Sequence, residues 1–269
     1  MTELSEKTVL ITGAGGGFGQ HMTRQFRDAG CMLVITDVNE EALQRSREIA
    51  GDAMLASLTA DLATAEGCGV IAGACTARGI LPDILVNNAG IGFAGRIDHV
   101  PRERLETLMQ INLLAPMRLC NLFVPGMIER GSGHIVNISS LAGWVGSYGM
   151  TSYCASKFGL RGFGEALAVD LVDTGVGVTN VYPCFSRTAI LDSAQYGYQE
   201  QQRVPEYLIS EPSDVVTQII KGVRSNRLHV FPDKHARRIH YVKRFFPWVV
   251  PLLNRRMQDA AAAAGKDES

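Results

Sequence analysis

The feature that most constrains this chain is a glycine-rich turn between a predicted strand and a predicted helix. Residues 8–11 are β-branched and apolar, the sequence TGAGGGFG follows at 12–19, and apolar residues recur at helical spacing over 18–29. Glycines let a backbone approach a pyrophosphate closely, and a helix N-terminus offers free N–H groups and a positive dipole end. The turn therefore predicts a nucleotide-phosphate site, with an ordinary loop as the alternative.

The defining glycines are Gly13, Gly17 and Gly19, spaced G-x-x-x-G-x-G rather than the commoner G-x-G-x-x-G. A second predicted strand, residues 31–36, ends at Asp37, about 20 residues past the glycines. A carboxylate there binds both hydroxyls of an adenosine ribose and repels a 2′-phosphate, and the turn contains no Lys or Arg to attract one. Both features favour NAD(H) over NADP(H). The alternative is that Asp37 caps the next helix, for which Asn39 and Glu40 are better placed.

Strands and helices alternate along the following chain. Further helices are predicted at residues 40–50 and 64–78, and further strands at 53–58, 84–86, 134–138 and 176–182. This alternation predicts a parallel sheet covered on both faces, and right-handed crossovers make it doubly wound. We expect a single α/β domain over residues 1–233, with ligands at the carboxyl ends of the strands.

One long helix is predicted over residues 103–127. Pro116 lies inside it, so we expect a kink there and a break around Pro125 and Gly126. Asn112 is a polar residue in the apolar stripe of this helix. It caps backbone groups, fills the kink or serves catalysis, and the sequence leaves these three roles open.

The residues that point most directly to chemistry lie between 139 and 157. Tyr153 and Lys157 are four residues apart on one face of the helix predicted over 151–171, and Ser140 lies thirteen residues before the tyrosine. Bringing a phenol pKa from about 10 to about 7 needs roughly 4 kcal/mol, which a cation in a dry cleft and a positively charged cofactor ring can largely supply. We interpret Tyr153 as general acid/base, Lys157 as the group that lowers its pKa and Ser140 as the hydroxyl that binds a substrate oxygen. An isolated Y-x-x-x-K is more often a solvated helix face.

Taken in order, these motifs resemble the short-chain dehydrogenase/reductase family over residues 7–231. The shared marks are T-G-x-x-x-G-x-G at 12–19, an acid at 37, D-L at 61–62, N-N-A-G at 87–90, Asn112, S-S at 139–140 and Y-x-x-x-K at 153–157. The resemblance implies a Rossmann fold and hydride transfer between a nicotinamide cofactor and a substrate carbon, with the protein supplying placement and a proton.

The resemblance also implies a role for each matching residue. Tyr153 exchanges a proton with the substrate oxygen that Ser140 binds, and Lys157 also binds the nicotinamide ribose. Asn112 holds a water that links Lys157 to solvent. The implied cofactor contacts besides Tyr153 and Lys157 are Gly13, Gly17, Phe18, Gly19, Asp37, Asp61, Leu62, Asn88, Ala89, Gly90, Pro183 and Thr188.

One position departs from the family pattern. The family usually has Pro-Gly after the sixth strand, whereas here Cys184 follows Pro183, with Thr188 still in register. A cysteine is strained if the glycine served a positive φ, and crowds the nicotinamide side if the glycine served close approach.

The residues expected to line the pocket are mostly apolar, which predicts a hydrophobic secondary alcohol or ketone as substrate. Residues 190–208 are predicted to form a mobile lid over it, with a plain surface loop as the alternative. The expected lining residues are Phe93, Trp144, Val145, Tyr148, Met150, Phe185, Tyr196 and Tyr198.

Residues 234–269 form a basic and aromatic extension, whose last residues, 259–269, are expected to fray. The part at 234–256 is too short and too charged to span a bilayer, and Pro247 and Pro251 interrupt it. Three roles stay open: docking on a partner subunit, covering the pocket, or lying on an anionic membrane surface.

Composition bounds the remaining questions. The chain has 269 residues, 46% of them hydrophobic, and a formal net charge of −1, which suits one core and gives no indication of nucleic-acid binding. The six cysteines contain no C-x-x-C pair, so we expect buried, reduced thiols and no metal site. With no export signal and no apolar run of about 18 residues, a cytoplasmic location is expected, with membrane contact through the extension as an alternative. The resemblance implies a homodimer or homotetramer through the helices at 103–127 and 151–171.

The predicted function is an NAD(H)-dependent oxidoreductase that interconverts a hydrophobic secondary alcohol and its ketone. One alternative is an NADPH-dependent 3-oxoacyl reductase, against which Asp37 and the uncharged glycine turn argue. The other is a non-catalytic nucleotide-binding relative, against which the complete set Asn112, Ser140, Tyr153 and Lys157 argues.

Overall fold

The computed structural model describes residues 3–197, 204–250 and 252. Its centre is a seven-stranded parallel sheet with the order β3-β2-β1-β4-β6-β7-β9. The strands of this sheet are β1 (Thr8–Thr12), β2 (Met32–Asp37), β3 (Met54–Thr59), β4 (Ile84–Asn87), β6 (Gly133–Ile138), β7 (Val176–Val181) and β9 (His229–Val230). A separate pair joins β5 (Ala94–Gly95) to β8 (Gln195–Tyr196).

Helices cover both faces of the sheet. Alternate residues of β1 show the arrangement, because Val9 and Ile11 enter one apolar cluster and Leu10 the other. The helices are α1 (Gly17–Asp28), α2 (Glu40–Ala50), α3 (Ala65–Ala77), α4 (Arg102–Met109), α5 (Ala115–Arg130), α6 (Thr151–Asp170), α7 (Pro212–Arg224) and α8 (Lys234–Phe245). The chain winds outward from β1 to β3 and returns to place β4 beside β1, so the strand order reverses there. The predicted doubly wound parallel sheet is confirmed, and this reversal point is where such sheets bind ligands.

The predicted long helix is one continuous helical stretch, and its irregularity lies directly before Pro116, where a kink is predicted. Gln110–Leu114 forms a π turn, in which the Ala115 N–H bonds to the carbonyl of Gln110 five residues back. Pro116 follows directly and has no N–H to offer the carbonyl of Asn112, which accounts for a distortion at this point. The predicted break around Pro125 is wrong: α5 runs on to Arg130, because neighbouring side chains such as Val124 and Met127 are buried against the sheet.

Among the described residues, one helix, Arg102–Arg130, is long and apolar enough to cross a membrane when length and composition alone are considered. This is the stretch from α4 to α5, and 44% of its apolar window is buried inside the protein. A core helix of a soluble protein meets the same two criteria, so they do not decide where the protein resides. The six cysteines are free thiols, five of them buried, as predicted.

Candidate active site

The glycine turn is built by close contacts of backbone with backbone. Gly13 has φ +63°, and a Cβ added there would lie 2.8 Å from the Cα of Ala89. A Cβ at Gly19 would lie 2.1 Å from the carbonyl oxygen of Gly13. Both positions therefore exclude any side chain, and α1 begins pressed against the turn.

The start of α1 fits a bound phosphate. Its N-cap, Gly16, makes no side-chain capping bond, and no acid lies in the first turn. Gly16 is exposed, and an added Cβ there has no neighbour nearer than 4.0 Å. The turn thus leaves open space beside an uncapped, positive helix end, where a pyrophosphate is stabilised.

Asp37 faces this turn from the end of β2. Its Oδ2 accepts the N–H of Gly15 at 2.9 Å and its Oδ1 accepts the N–H of Asn39 at 3.0 Å. Asn39, not Asp37, caps α2 by accepting the N–H of Ala42. The carboxylate is therefore held in place beside the turn and only half-buried, which suits a ribose diol. Sequence reasoning missed that the N–H of Gly15 holds Asp37 in place. The glycine run itself was the signal for this contact.

The N-N-A-G segment after β4 fixes the turn. The Asn88 amide nitrogen donates to the carbonyls of Thr12 (2.8 Å) and Gly13 (3.0 Å), and the Thr12 hydroxyl accepts the N–H groups of Asn88 and Ala89 at 3.0 Å each. These bonds tie the ends of β1 and β4 together. The implied contacts of Asn88 and Ala89 with the cofactor remain predictions beside this structural role.

The remaining implied cofactor residues lie on neighbouring loops. Asp61 accepts the N–H of Ala63 at 2.9 Å, whereas the Leu62 side chain is buried in the core, so an adenine contact of Leu62 stays a prediction for its backbone. Thr188 abuts Gly17, where an added Cβ would lie 2.4 Å from its methyl carbon. Pro183 is buried, and its carbonyl accepts the N–H of Leu141 at 2.8 Å. The partly buried Phe18 packs against the core.

Ser140 and Tyr153 meet at the carboxyl end of β6. Tyr153 is 8% exposed and hydrogen-bonds with Ser140. The Ser140 hydroxyl also accepts the N–H of Ala142 at 3.1 Å, which fixes the serine. Ser139 has another task, since its hydroxyl donates to the carbonyl of Lys157 at 3.0 Å. Ser140 is thus the serine whose hydroxyl faces the phenol.

Lys157 lies one helical turn beyond the tyrosine, buried. Its Nζ is 5.7 Å from the centre of the Tyr153 ring and donates to the carbonyl of Ile138 at 2.9 Å. Gly90 borders it, because a Cβ there would lie 3.4 Å from the same Nζ. Burial lowers the pKa of Lys157 to about 8.

The pKa of Tyr153 runs against the prediction. Burial raises it to about 12, and the group that opposes this rise is Ser140, through its hydrogen bond, rather than Lys157. A pKa near 7 therefore requires roughly 7 kcal/mol of stabilisation of the phenolate. With the 5.7 Å from Nζ to the ring centre taken as the separation of the charges, the lysine supplies about 3 kcal/mol at an effective dielectric constant of 20 and is insufficient alone.

Asn112 is buried within the π turn, and its side chain is occupied by structural bonds. Its Oδ1 accepts the N–H of Ile91 at 2.9 Å, and its Nδ2 donates to the carbonyl of Ile91 (2.9 Å) and to the Ser156 hydroxyl (3.2 Å). Of its three open roles, the side chain performs backbone capping. It joins the loop after β4 to α6 and lies beside Gly90, near Lys157. The proton-relay water stays a prediction.

Cys184 is accommodated without strain. Positive φ among the described non-glycine residues is confined to Glu6, Asp173 and Asn226, so Cys184 has an ordinary backbone. Its N–H donates to Asp233 at 2.8 Å, and it packs against the apolar cluster beneath α8. Cys184 therefore shows neither effect expected from the loss of glycine. Its backbone is not strained, and its side chain packs in this apolar cluster.

The space around Tyr153 is apolar, but Trp144 is not part of it. Tyr153 shares a buried cluster with Phe93, and Met150 and Tyr196 pack against it. Trp144 instead lies under α8, with the Arg161 guanidinium carbon 3.8 Å from its ring centre. Of the predicted lid, β8 pairs with β5, and residues 198–203, which include Tyr198, lie outside the described part of the chain.

Known proteins resemble this chain closely enough to assign its family. A profile described as short chain dehydrogenase matches residues 7–198. Epidermal retinol dehydrogenase 2 of Homo sapiens is 33% identical over 253 residues, which cover 91% of this chain and 80% of that protein.

Two solved structures share the fold. A short chain dehydrogenase/reductase from Burkholderia phymatum in complex with NAD has a TM-score of 0.79 and 25% identity, covering 91% of this chain and 95% of that one. A short-chain dehydrogenase from Sphingobium yanoikuyae in complex with NADPH has a TM-score of 0.76 and 29% identity, covering 88% and 92%.

The fold, the site and these similarities define an oxidoreductase that acts on CH–OH groups with a nicotinamide cofactor. The chain belongs to the short-chain dehydrogenase/reductase family. One neighbour holds NAD and the other NADPH, so family membership alone assigns this chain to neither.

Proposed function

We propose that this protein is an NAD(H)-dependent oxidoreductase that interconverts a hydrophobic secondary alcohol and its ketone. The observation that supports it most is the arrangement of Ser140, Tyr153 and Lys157: a serine hydroxyl bonded to a buried phenol, with a buried ammonium one turn away.

The chain's own residues handle the proton and the substrate oxygen. Ser140 donates a hydrogen bond to that oxygen, and the Tyr153 phenolate accepts the hydroxyl proton as the alcohol becomes a ketone. Reduction is the reverse, with the phenol giving its proton to the oxygen. Lys157 stabilises the phenolate between these events. A bound nicotinamide cofactor supplies the hydride exchange and, when oxidised, a positive ring.

Asp37 supports the choice of NAD(H). Its carboxylate is already oriented by the N–H groups of Gly15 and Asn39, and a 2′-phosphate brought beside it meets like charge. No Lys or Arg lies in residues 12–19 to compensate.

The hydrophobic substrate is supported by the apolar residues around Tyr153, namely Phe93, Met150 and Tyr196. The human relative is named for retinol, itself an apolar alcohol. We include in the proposal a lid formed by the described residues between 190 and 208, because Gln195 and Tyr196 pair with the strand that follows Phe93.

For the assembly we propose a homodimer or homotetramer through α5 and α6. Both helices leave large apolar side chains in solvent, and a helix face of this kind is stabilised by a partner copy. The exposed residues on these helices are Met117, Leu122, Ile128, Phe158 and Val169.

The test is initial-rate turnover with NAD and with NADP over a panel of apolar primary and secondary alcohols, with Tyr153→Phe in parallel. NAD-linked activity that the variant loses supports the proposal. Activity with NADP alone contradicts the cofactor assignment and favours the 3-oxoacyl reductase alternative. Cofactor binding without turnover of any alcohol or ketone favours the non-catalytic alternative.

A further inference from the structure

The C-terminal extension exposes five large apolar side chains that the active site does not use. These side chains, which we call the aromatic face, are each between 53% and 64% exposed: Tyr241, Phe245, Phe246, Trp248 and Leu252. They lie within twelve residues of one another in sequence. Large apolar side chains concentrated in solvent indicate an interaction surface rather than scattered exposure.

The opposite side of α8 is already in use. Ala236 is fully buried, and Ile239 packs with it against Leu141 and Val145. Lys243 donates from this side to the carbonyl of Trp144. α8 is thus anchored on the loop after Ser140 by its inner side, and within the described part of the chain the residues on its outer side are exposed.

Cations accompany the aromatic face. The exposed residues Lys234, Arg237, Arg238 and Arg244 share the outer side of α8 with Tyr241 and Phe245, at helical spacing. Residues 234–258 hold seven of the 26 Lys and Arg side chains and no Asp or Glu, so the rest of the chain has a net charge of −8 against −1 overall. The charge of this segment is opposite in sign to that of the body.

We propose that the aromatic face and its cations dock on an anionic lipid membrane, with the rings at headgroup level and the cations on lipid phosphates and carboxylates. Trp, Tyr and Phe favour the membrane interface, and each Lys or Arg near an anionic leaflet strengthens binding roughly fivefold. Phe246 and Trp248 form an edge-to-face pair with ring centres 5.7 Å apart, which gives the surface a defined shape.

Other occupants fit the charges less well. A twofold contact between two copies would set this basic surface against itself, with no acid in the segment to pair with. Nucleic acid would attract the cations but would leave the apolar side chains in water and meet an otherwise acidic protein.

Docking of this kind would hold the loop after Ser140 close to the lipid, because α8 contacts both. A hydrophobic substrate would then reach the pocket from the membrane. The docking itself rests on the surface and not on the proposed function, so it is tested without turnover.

The test is co-sedimentation of the full chain with vesicles, either pure phosphatidylcholine or containing about 30% phosphatidylserine, at about 0.1 M and about 0.5 M salt. We expect binding to the anionic vesicles that weakens in high salt and is much weaker with phosphatidylcholine alone. Phe245→Ser with Trp248→Ser should abolish it, and Arg237→Gln with Arg238→Gln should reduce the partition coefficient roughly 25-fold.

Matched controls separate the surface from general effects. Arg78→Gln with Arg104→Gln removes two exposed cations elsewhere, and Val70→Ser with Ile97→Ser removes two exposed apolar side chains. Both should bind as the parent does, and circular dichroism should show every variant folded. Equal binding by the docking variants and the parent, or no binding to anionic vesicles, would overturn the proposal. So would a dimer, in sedimentation velocity, that becomes monomeric only in Phe245→Ser with Trp248→Ser.

Discussion

The two ends of the active site are built in different ways. At the cofactor end backbone packs on backbone, and a Cβ on Gly19 would lie 2.1 Å from the carbonyl oxygen of Gly13. At the substrate end side chains pack on side chains from distant parts of the chain, as where the rings of Phe93 and Tyr196 meet edge to face with their centres 5.8 Å apart. A few positions therefore fix the cofactor end, and a substitution at any one of them should have a large effect. The second end spreads its stabilisation over many contacts, so each change there should have a smaller effect.

The largest expected effect is at the turn. Gly19→Ala forces backbone apart and should lower the free energy of unfolding by about 3 kcal/mol or more. Gly16→Ala is the matched control: its Cβ would lie 4.0 Å from the nearest atom, at φ −98°, so a change below about 1 kcal/mol is expected. Urea unfolding measures both. Equal losses in the two variants would show that close contact is not what fixes this end.

Lys157 lies between the two ends, and its burial should cost stability. Its pKa falls from 10.5 to about 8, so the cost is fully present below pH 8 and disappears as pH rises through 10.5. The shift corresponds to about 3 kcal/mol at pH 7, and the lost bond to Ile138 offsets about 1 kcal/mol of it.

Lys157→Met should therefore abolish turnover while raising the free energy of unfolding at pH 7 by about 2 kcal/mol. The gain should shrink as pH approaches 10.5. A variant less stable than the parent at pH 7 would show that the contacts of the Lys157 ammonium outweigh the free-energy cost of burying it.

Asp37→Asn tests the adenosine part of the cofactor end. The amide oxygen keeps an acceptor for the N–H of Gly15 but removes the charge, so the preference for NAD over NADP should fall roughly 10- to 100-fold. The ratio of kcat/KM values with the two cofactors measures it. Asp52→Asn, an exposed acid outside the site, should leave the ratio unchanged. An unchanged ratio in Asp37→Asn would show that the carboxylate does not determine the preference for NAD over NADP.

The smallest effect is expected beneath α8, next to the loop that follows Ser140. Lys243→Met removes one hydrogen bond to the carbonyl of Trp144 and should cost about 1 kcal/mol, seen as a KM for the alcohol raised several-fold with kcat nearly constant. Lys234→Met, exposed at the start of α8, should leave KM unchanged. A large fall in kcat in Lys243→Met would mean that α8 controls the chemistry and not only the loop.

The contrast between the two ends of the site also explains which features the sequence predicts and which it does not. The sheet, the glycine turn, Asp37 and the pairing of Tyr153 with Lys157 all follow from short local patterns, and the structure contains each of them. The π turn at Asn112 depends on how Pro116 and the loop after β4 meet, which no local pattern gives. Strand β9 is only two residues long and pairs at the sheet edge, so its own sequence carries little signal.

Long-range packing accounts for the other differences. Trp144 was expected in the pocket but lies beneath α8, a helix that begins 90 residues later, at Lys234. Cys184 fits because that same cluster receives its side chain. The pKa of Tyr153 depends on how completely the phenol is buried, which spacing alone cannot show.

The central claim is that Tyr153 performs the proton transfer, with a pKa that binding of the cofactor lowers from about 12. The direct measurement is kcat/KM for alcohol oxidation against pH at saturating NAD, for the parent and Tyr153→Phe. We expect the rate of the parent to rise with pH, as the phenol deprotonates, with a midpoint several units below 12, and Tyr153→Phe to be at least about 1,000-fold slower. A variant that keeps the rate and the pH profile of the parent would contradict the account.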